Sequence, residues 1–589
     1  MSESIDGKSK TVALYVAVSA VAMLLIVPFL LRPGGHPLQS FYQEWTAFAL
    51  GAIVFLAILA AQRDGEIELP RSIFLPIGIC IIVLAQLLMG RLGYWQQGAI
   101  GLVYLLWSAA LLCAGQLLQK RLGRERFVSL VAWSLFAGAV ASAVIALLQL
   151  ADWRLGGLIV PHRGRVYANL GQPNHFANYA CLGLFSGFFL VATGRLNAFV
   201  AGGAALLLLV LMDMSGSSSI WLYLAAAMLL ATWMHHRAGL GQTRILLLCA
   251  IAAILALLLL QAASAIFPDT FSWYNSAGPQ GTAGVRLAGK ISVGDSAREA
   301  HWLASLLIFK DNALLGAGIG EFGWNYYLRI GQLPLTLQEI THNAHNIFLQ
   351  FLSEFGVSGL LLLVVAAGLW FKTQIKAEAN SGQWWMLSLV AVFCVHSLLE
   401  YPLWYAQFLG PFALLLGAAD RATWQVSRGA VSRIALAGLA LTIVWSLVSV
   451  LADYRRAERL GIAGQTALER NERILEAARV AGGSMFGNFL ELGLSRTIII
   501  DPEALEAKLQ LNTRVLRAFP AVDVAYRQSA LLALSGDLEG AYRHWDLAVT
   551  AFPRKESAMA QAYAELVSMG QPRLAPLVEY AASRKPERP

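Results

Sequence analysis

Thr341-His342-Asn343-Ala344-His345-Asn346-Ile347-Phe348-Leu349-Gln350 brings two imidazoles and two carboxamides to the point where a long polar segment runs into an apolar one. An imidazole can accept a proton near neutral pH, or meet a phosphate as a cation. Ionisable groups carried into an apolar span cost on the order of 3 kcal/mol each, so they mark places where something uses them. His345 and His342 are therefore the candidate catalytic residues. Core packing has no need of this group.

Four further segments carry polar groups of the same kind. His36-Pro37-Leu38-Gln39-Ser40 precedes Glu44 and Trp45, and Arg163-Gly164-Arg165 leads into Asn169-Leu170-Gly171-Gln172-Pro173-Asn174-His175-Phe176-Ala177. Met214-Ser215-Gly216-Ser217-Ser218-Ser219 and His396-Ser397-Leu398-Leu399-Glu400-Tyr401-Pro402-Leu403-Trp404-Tyr405 complete the set. Arg163, Arg165 and Arg298 are planar cations suited to phosphate oxygens. The amides and imidazole of Gln172, Asn174, His175 and Asn346 suit sugar hydroxyls or further phosphate contacts. Glu400, Tyr401, Tyr405, His36, Glu44 and Ser217 stand as acceptor-facing or supporting groups. Each has a bland reading as well. His36-Pro37 ends a helix, Arg163 and Arg165 anchor headgroups, the serines cap a loop, and His396 pairs with Glu400 one turn on. No Walker loop, dinucleotide fingerprint or HExxH motif occurs, so neither metal nor nucleotide cofactor is expected. A site for diphosphate and sugar without a nucleotide motif points to a lipid-linked saccharide.

The elements that position these groups are apolar. The chain has 589 residues, of which 57% are hydrophobic and 14% charged, and its mean hydropathy is +0.58. Apolar runs recur from Thr11 to Leu451, each near the ~20 residues that cross a bilayer. They are continuous rather than alternating, which predicts helices and not a barrel. The expected fold is all-α: a polytopic membrane protein of about 13 transmembrane helices, near 11–32, 41–62, 72–90, 97–118, 127–150, 175–193, 196–212, 217–234, 244–263, 346–371, 384–400, 403–418 and 433–452. Residues 1–263 hold the first nine, 264–345 form a large loop, 346–452 hold the last four, and 453–589 form a soluble helical domain. Lys8 and Lys10 precede the first run, which lacks a small-residue cleavage site before Pro33 and reads as a retained span. The five cysteines all lie within apolar runs, against a disulfide framework or a metal cluster.

The net charge of +8 is better explained by the positive-inside rule than by nucleic acid, for which no binding is expected. With a cytoplasmic N-terminus, the inner segments hold Lys8, Lys10, Arg63, Arg71, Lys120, Arg121, Arg124, Arg126, Arg195, Arg237, Arg244, Lys372, Lys376, Arg421, Arg428 and Arg433. The short outer loops hold only Arg32, Arg91, Arg154, Arg163 and Arg165, a bias of about three to one. The large loop and the tail then lie outside, in the periplasm of a Gram-negative host. In the tail, Ala518-Phe519-Pro520 returns as Ala551-Phe552-Pro553 after 33 residues, with the small-residue turn of a tetratricopeptide (TPR)-like helix pair between them. All five polar segments fall at the outer face, which predicts one site built from distant parts of the chain.

The double-histidine segment followed by Phe351-Leu352-Ser353-Glu354-Phe355-Gly356-Val357-Ser358-Gly359 resembles the Wzy/WaaL superfamily of O-antigen ligases and polymerases. Arg298, Trp302 and Asp311-Asn312-Ala313-Leu314-Leu315-Gly316-Ala317-Gly318-Ile319-Gly320-Glu321-Phe322 resemble the rest of its large loop. Gly171–Ala177, Leu399–Leu403 and His36-Pro37 are similar to the PglL-type protein O-oligosaccharyltransferases. The resemblance covers nearly the whole chain. It implies transfer of a preassembled glycan from undecaprenyl diphosphate, in the periplasm, to Ser or Thr of a pilin or another protein, by an enzyme of the bacterial inner membrane. It places His345 at the essential histidine, as a base for the acceptor or a contact to the diphosphate. One position departs: the family usually carries Ser-Arg where this chain has Ser217-Ser218, so Arg163, Arg165 or Arg298 must supply the cation. The alternatives are an O-antigen ligase with lipid A core as acceptor, a polymerase, or, in another class, a lipid-linked saccharide transporter. Ionisable motifs at one face rather than the midplane speak against the transporter.

Overall fold

Among the described residues, ten helices are long and apolar enough to cross a membrane, from Lys8–Leu30 to Ala437–Leu460. The structure, a computed structural model, describes residues 2–62, 67–239, 241–275, 296–334, 340–426, 430–461, 467–552 and 556–584. Arg63, Arg428 and Pro553, and 276–295 and 335–339 of the large loop, lie outside them. The chain is an all-α, multi-pass membrane protein. Three further expected spans form the helices Ala198–Met214, Ser219–Ala238 and Ala406–Ala419, which stand outside the set of ten. Helix ends follow local chemistry. The Asn197 carboxamide accepts from Phe199 N at 2.9 Å, Asn380 accepts from Gln383 N at 2.9 Å, and Pro173 sits in a first turn.

Two compact units form. The first comprises Met1–Ile77, Tyr104–Gly294 and Leu363–Leu447. In it, helix Ala406–Ala419 crosses the helix through Gly115 at backbone distance, for a Cβ on Gly417 would overlap the Leu112 carbonyl. Small residues at such a crossing let helices pack without a water-driven hydrophobic force.

One element was not legible as a helix or a plain loop. Ile67–Pro70 pairs antiparallel with Thr423–Val426, in the register Ile67↔Val426 and Pro70↔Thr423. Charge bias puts both loops on one side, and a ladder needs them there. Other contacts keep the same sidedness. Lys120 meets Glu68 at 2.6 Å, Arg237 donates to Ile375 O at 2.7 Å, and Ser381 donates to Gln242 at 2.8 Å. At the opposite helix ends, Gln43 donates to Leu31 O at 2.8 Å and Asn169 to Leu30 O at 2.9 Å.

The second unit comprises Gly78–Val103, Asp295–Leu362 and Val448–Pro589. Ile308, Tyr326 and Tyr327 of the large loop share one buried core with Val515, Leu516, Leu534 and Trp545 of the tail. Burying such side chains gives roughly 1.5–3 kcal/mol each. Polar contacts add to it: Tyr94 donates to Glu491 at 2.6 Å and Gln96 to Ser484 O at 3.0 Å. The tail helices Leu505–Ala518, Val522–Ser535, Leu538–Ala551, Glu556–Ser568 and Ala575–Ser583 follow one another through short connections. Gly536 ends one of them in the left-handed region at φ 92, and Asp537 caps the next through Gly540 N at 2.9 Å.

Candidate active site

In the second unit, the double-histidine segment is fixed by its own polar neighbours. Asn346 Oδ1 accepts from Phe348 N at 3.0 Å and Leu349 N at 3.3 Å, so its carboxamide oxygen caps helix Ile347–Ile375. Gln350 Oε1 accepts from Ala344 N at 2.6 Å. Thr341 Oγ1 accepts from Asn343 N at 3.2 Å and donates to its carbonyl at 3.0 Å. Between these staples His345 is held at φ 53, a left-handed conformation that costs a non-glycine residue on the order of 1–3 kcal/mol. Strain of that kind gathers at functional positions.

The His345 ring stacks on His301, with centroids 5.3 Å apart and planes 23° from parallel. His301 in turn lies 5.8 Å from Tyr326. Sequence reasoning missed His301. The signal was available: Arg298 and His301 are three apart on helix Ser296–Asp311, a spacing that puts both on one face. Arg298 is half-buried there. His342 is exposed, with its ring over Gly323, where a Cβ would come within 2.9 Å of Cε1.

A glycine-rich turn positions the helix behind the histidines. Gly316, Gly318 and Gly320 have φ of 73, 120 and 77. Ala317 N donates to Ser353 O at 2.9 Å and Gly318 N to Glu354 O at 3.2 Å, while Gly320 N donates to Glu354 Oε1 at 2.9 Å. Gln86 donates to Leu315 O at 2.7 Å and Glu354 O at 2.8 Å. Helix Ile347–Ile375 breaks its dihedrals at Gly356 (φ 66, ψ −164), and Val357 N donates to Ala313 O at 2.8 Å. The two motifs that carried the resemblance, 311–322 and 351–359, are thus one clamp. Glu321 anchors the turn: it is 1% exposed and accepts from Gly93 N at 2.6 Å and Arg517 Nε at 2.7 Å. Burial pushes its carboxyl above the ordinary value, against the lowering effect of Arg517.

In the first unit, Asn174 Nδ2 donates to Glu400 Oε1 at 2.7 Å. His175 is buried, its ring 4.8 Å from Tyr405 and 5.7 Å from His396, and Tyr401 stacks on Tyr405 at 6.0 Å. Glu44 accepts from Ser40 Oγ at 2.6 Å, from Ala406 N at 3.3 Å and from the Tyr104 hydroxyl. The expected pairing of His396 with Glu400 does not form. Glu400 gives its backbone N–H to His396 O at 2.7 Å and receives Asn174, whereas both His396 ring nitrogens are buried without a hydrogen-bond partner.

Both polar atoms of Asn178 and the hydroxyls of Ser217 and Ser397 are buried in the same state. Each such group costs roughly 1–3 kcal/mol, so buried groups left without partners are what a polar ligand would satisfy. Asn178 follows Asn174 by four residues and His175 by three, again one helix face.

The remaining candidates scatter. Arg163 and His36 are exposed, and Gln172 is half-buried at a helix start without a side-chain cap bond. Arg165 Nε donates to Ser215 O at 2.8 Å, which brings a guanidinium to the serine turn. Ser218 makes no side-chain cap bond, whereas Ser215 Oγ donates to Met212 O at 2.6 Å and accepts from Ser217 N at 3.3 Å. Asp213 was also missed. It is fully buried, accepts from Gln261 at 2.7 Å and is met by the Tyr274 hydroxyl. A lone carboxylate closing an apolar run was the available signal.

Residues 203–365 match the O-Antigen ligase family, and residues 384–566 match the family described as virulence factor membrane-bound polymerase, C-terminal. The chain is 25% identical over 428 residues to the General O-oligosaccharyltransferase of Acinetobacter baylyi (strain ATCC 33305 / BD413 / ADP1), covering 71% of this chain and 72% of that one. It is 24% identical over 414 residues to the ComP-specific O-oligosaccharyltransferase of the same organism, covering 69% and 71%. The two domain matches and both relatives support a PglL-type O-oligosaccharyltransferase of the Wzy/WaaL superfamily.

Proposed function

We propose that this chain, a glycosyltransferase by family, moves a preassembled glycan from undecaprenyl diphosphate to a Ser or Thr hydroxyl of a pilin or other periplasmic protein. The reaction takes place at the periplasmic face of the bacterial inner membrane. The observation that carries the reading is His345, held in a left-handed conformation with its ring against His301. The acceptor hydroxyl oxygen attacks the anomeric carbon, and its proton passes to His345. The carbon–oxygen bond to the diphosphate breaks, and the electron pair leaves with the diphosphate. The guanidinium of Arg298, on the helix face that carries His301, offsets the charge that develops on the leaving group. In the first unit, Asn174, His175, Asn178 and Glu400 form a polar cluster suited to hydroxyls of a glycan or acceptor. The step needs no metal and no nucleotide.

The match of 203–365 to the O-Antigen ligase family favours one second reading, a ligase whose acceptor is lipid A core. Co-expression with a candidate pilin, in a host that makes one defined undecaprenyl-linked glycan and lacks its own ligase, separates the two. A glycan-sized gain in pilin intact mass supports protein transfer. Glycan on lipid A core alone supports the ligase, and neither product overturns both.

A further inference from the structure

On the face that charge bias assigns to the cytoplasm, the first unit holds a cavity of about 220 Å³ lined by Gln119, Arg124, Met386, Ala418, Ala419, Asp420 and Arg421. It lies where four chain segments end: the helix Trp95–Leu122, the start of Arg124–Leu150, the start of Ser381–Leu399 and the end of Ala406–Ala419. No part of the proposed transfer reaction uses it.

Two guanidiniums and one carboxylate, Asp420, line it. Arg124 donates to the neutral Gln383 Oε1 at 2.5 Å, and Arg421 is exposed and acts on Arg124 as a like charge. The one carboxylate in the lining is occupied elsewhere: Asp420 accepts from Ser72 N at 2.8 Å and from Ala422 N at 3.0 Å. Glu378 also acts on Arg124 without an ion pair among the described residues, and Glu68 is taken by Lys120 at 2.6 Å. Two guanidiniums are therefore held around one cavity, each drawn to an anion and repelled by the other. Gly123, which precedes helix Arg124–Leu150, supplies no side-chain cap, and the first-turn carboxylate Glu125 turns to Arg195, so the first-turn N–H groups still favour negative charge.

We propose that this cavity binds the phosphate headgroup of an anionic phospholipid. Its volume is below the roughly 300–1,000 Å³ of whole small-molecule sites. It admits a headgroup while the acyl chains stay in the bilayer. Guanidinium forks match phosphate oxygens bidentately, and basic pockets between helix ends on the cytoplasmic side are where anionic headgroups collect. A bound lipid headgroup would tie together the helix ends that carry these two arginines.

Native mass spectrometry of the purified full chain tests this against an equal mixture of phosphatidylglycerol and phosphatidylcholine, with inorganic phosphate as a competing probe. The wild type should retain phosphatidylglycerol preferentially. Arg421→Gln, at an exposed position that folding tolerates, should reduce the preference about fivefold, and Arg124→Gln with Arg421→Gln should abolish it. If millimolar phosphate alone protects the wild type against heat but not the variants, and no lipid preference appears, the anion is free phosphate and the lipid assignment is wrong. Equal lipid ratios in the wild type and both variants, with phosphate indifferent, would remove the site.

Discussion

Gly356→Ala tests the clamp behind the histidines. At φ 66 and ψ −164 the backbone occupies a region essentially closed to residues with a Cβ, at a cost of about 1–3 kcal/mol. The new methyl would also stand 2.5 Å from the Leu314 carbonyl carbon and 2.7 Å from Ala313 O. Neither atom can yield without moving the 313–320 backbone. The bonds at stake are Val357 N to Ala313 O, 2.8 Å, and Ser358 N to Leu314 O, 3.3 Å, worth about 1 kcal/mol apiece. Alanine would favour a continuous helix through 356, the geometry that drives the turn away. Together these come to roughly 3–5 kcal/mol against the docked turn, a factor of 10² or more in its opening. Hydrogen exchange over 311–322 should accelerate by about that factor, and glycan transfer should fall in parallel, while membrane insertion is unchanged. Unaltered exchange with full transfer would refute the clamp.

Three more outcomes follow from other contacts. Arg517→Ala leaves the buried Glu321 carboxylate without its ion partner. Because Arg517 is about one-third exposed, the loss should be about 1–3 kcal/mol in thermal unfolding rather than the full cost of breaking a buried pair. Adding Glu321→Gln should recover part of it, and additive losses would mean the pair is not coupled. His544 is held by burial at about 4, below its ordinary 6.5. The unfolded chain therefore takes this proton first, and stability should be full above about 6.5 and decline as pH falls toward 4, by at most ~3 kcal/mol. His544→Gln should flatten that slope in pH-dependent melting, and an unchanged slope would assign it to other groups. Asn174→Ala removes a hydrogen bond of 2.7 Å to Glu400. Transfer should drop about tenfold, chiefly through KM for the donor if these groups bind glycan hydroxyls, and a loss confined to kcat would place Glu400 in the chemistry instead.

The membrane helices were legible in the sequence because each stands on local information, a continuous apolar run near membrane-crossing length. The double-histidine segment stood out equally, as two imidazoles beside an apolar run. What stayed hidden depends on partners far along the chain. The Ile67–Pro70 and Thr423–Val426 ribbon joins strands too short to show a period. His301 shares a helix face with Arg298, but it lies 44 residues before His345, and no spacing rule relates a residue on one helix to a loop that folds over it. Asn346 looked like a ligand and caps a helix, since capping and ligand binding draw on the same side-chain oxygen. His396 and Glu400 are at pairing distance along a helix, yet the helix ends between them, and Glu400 turns to Asn174.

The transfer step itself is most directly tested with the purified chain in proteoliposomes, a defined undecaprenyl-diphosphate glycan and a Ser-bearing acceptor peptide. Product mass and donor retention are measured for the wild type and His345→Ala. Removal of a general base predicts a loss of roughly 10²–10⁴-fold in transfer, with donor still retained. Transfer by His345→Ala at the wild-type rate would take His345 out of the mechanism.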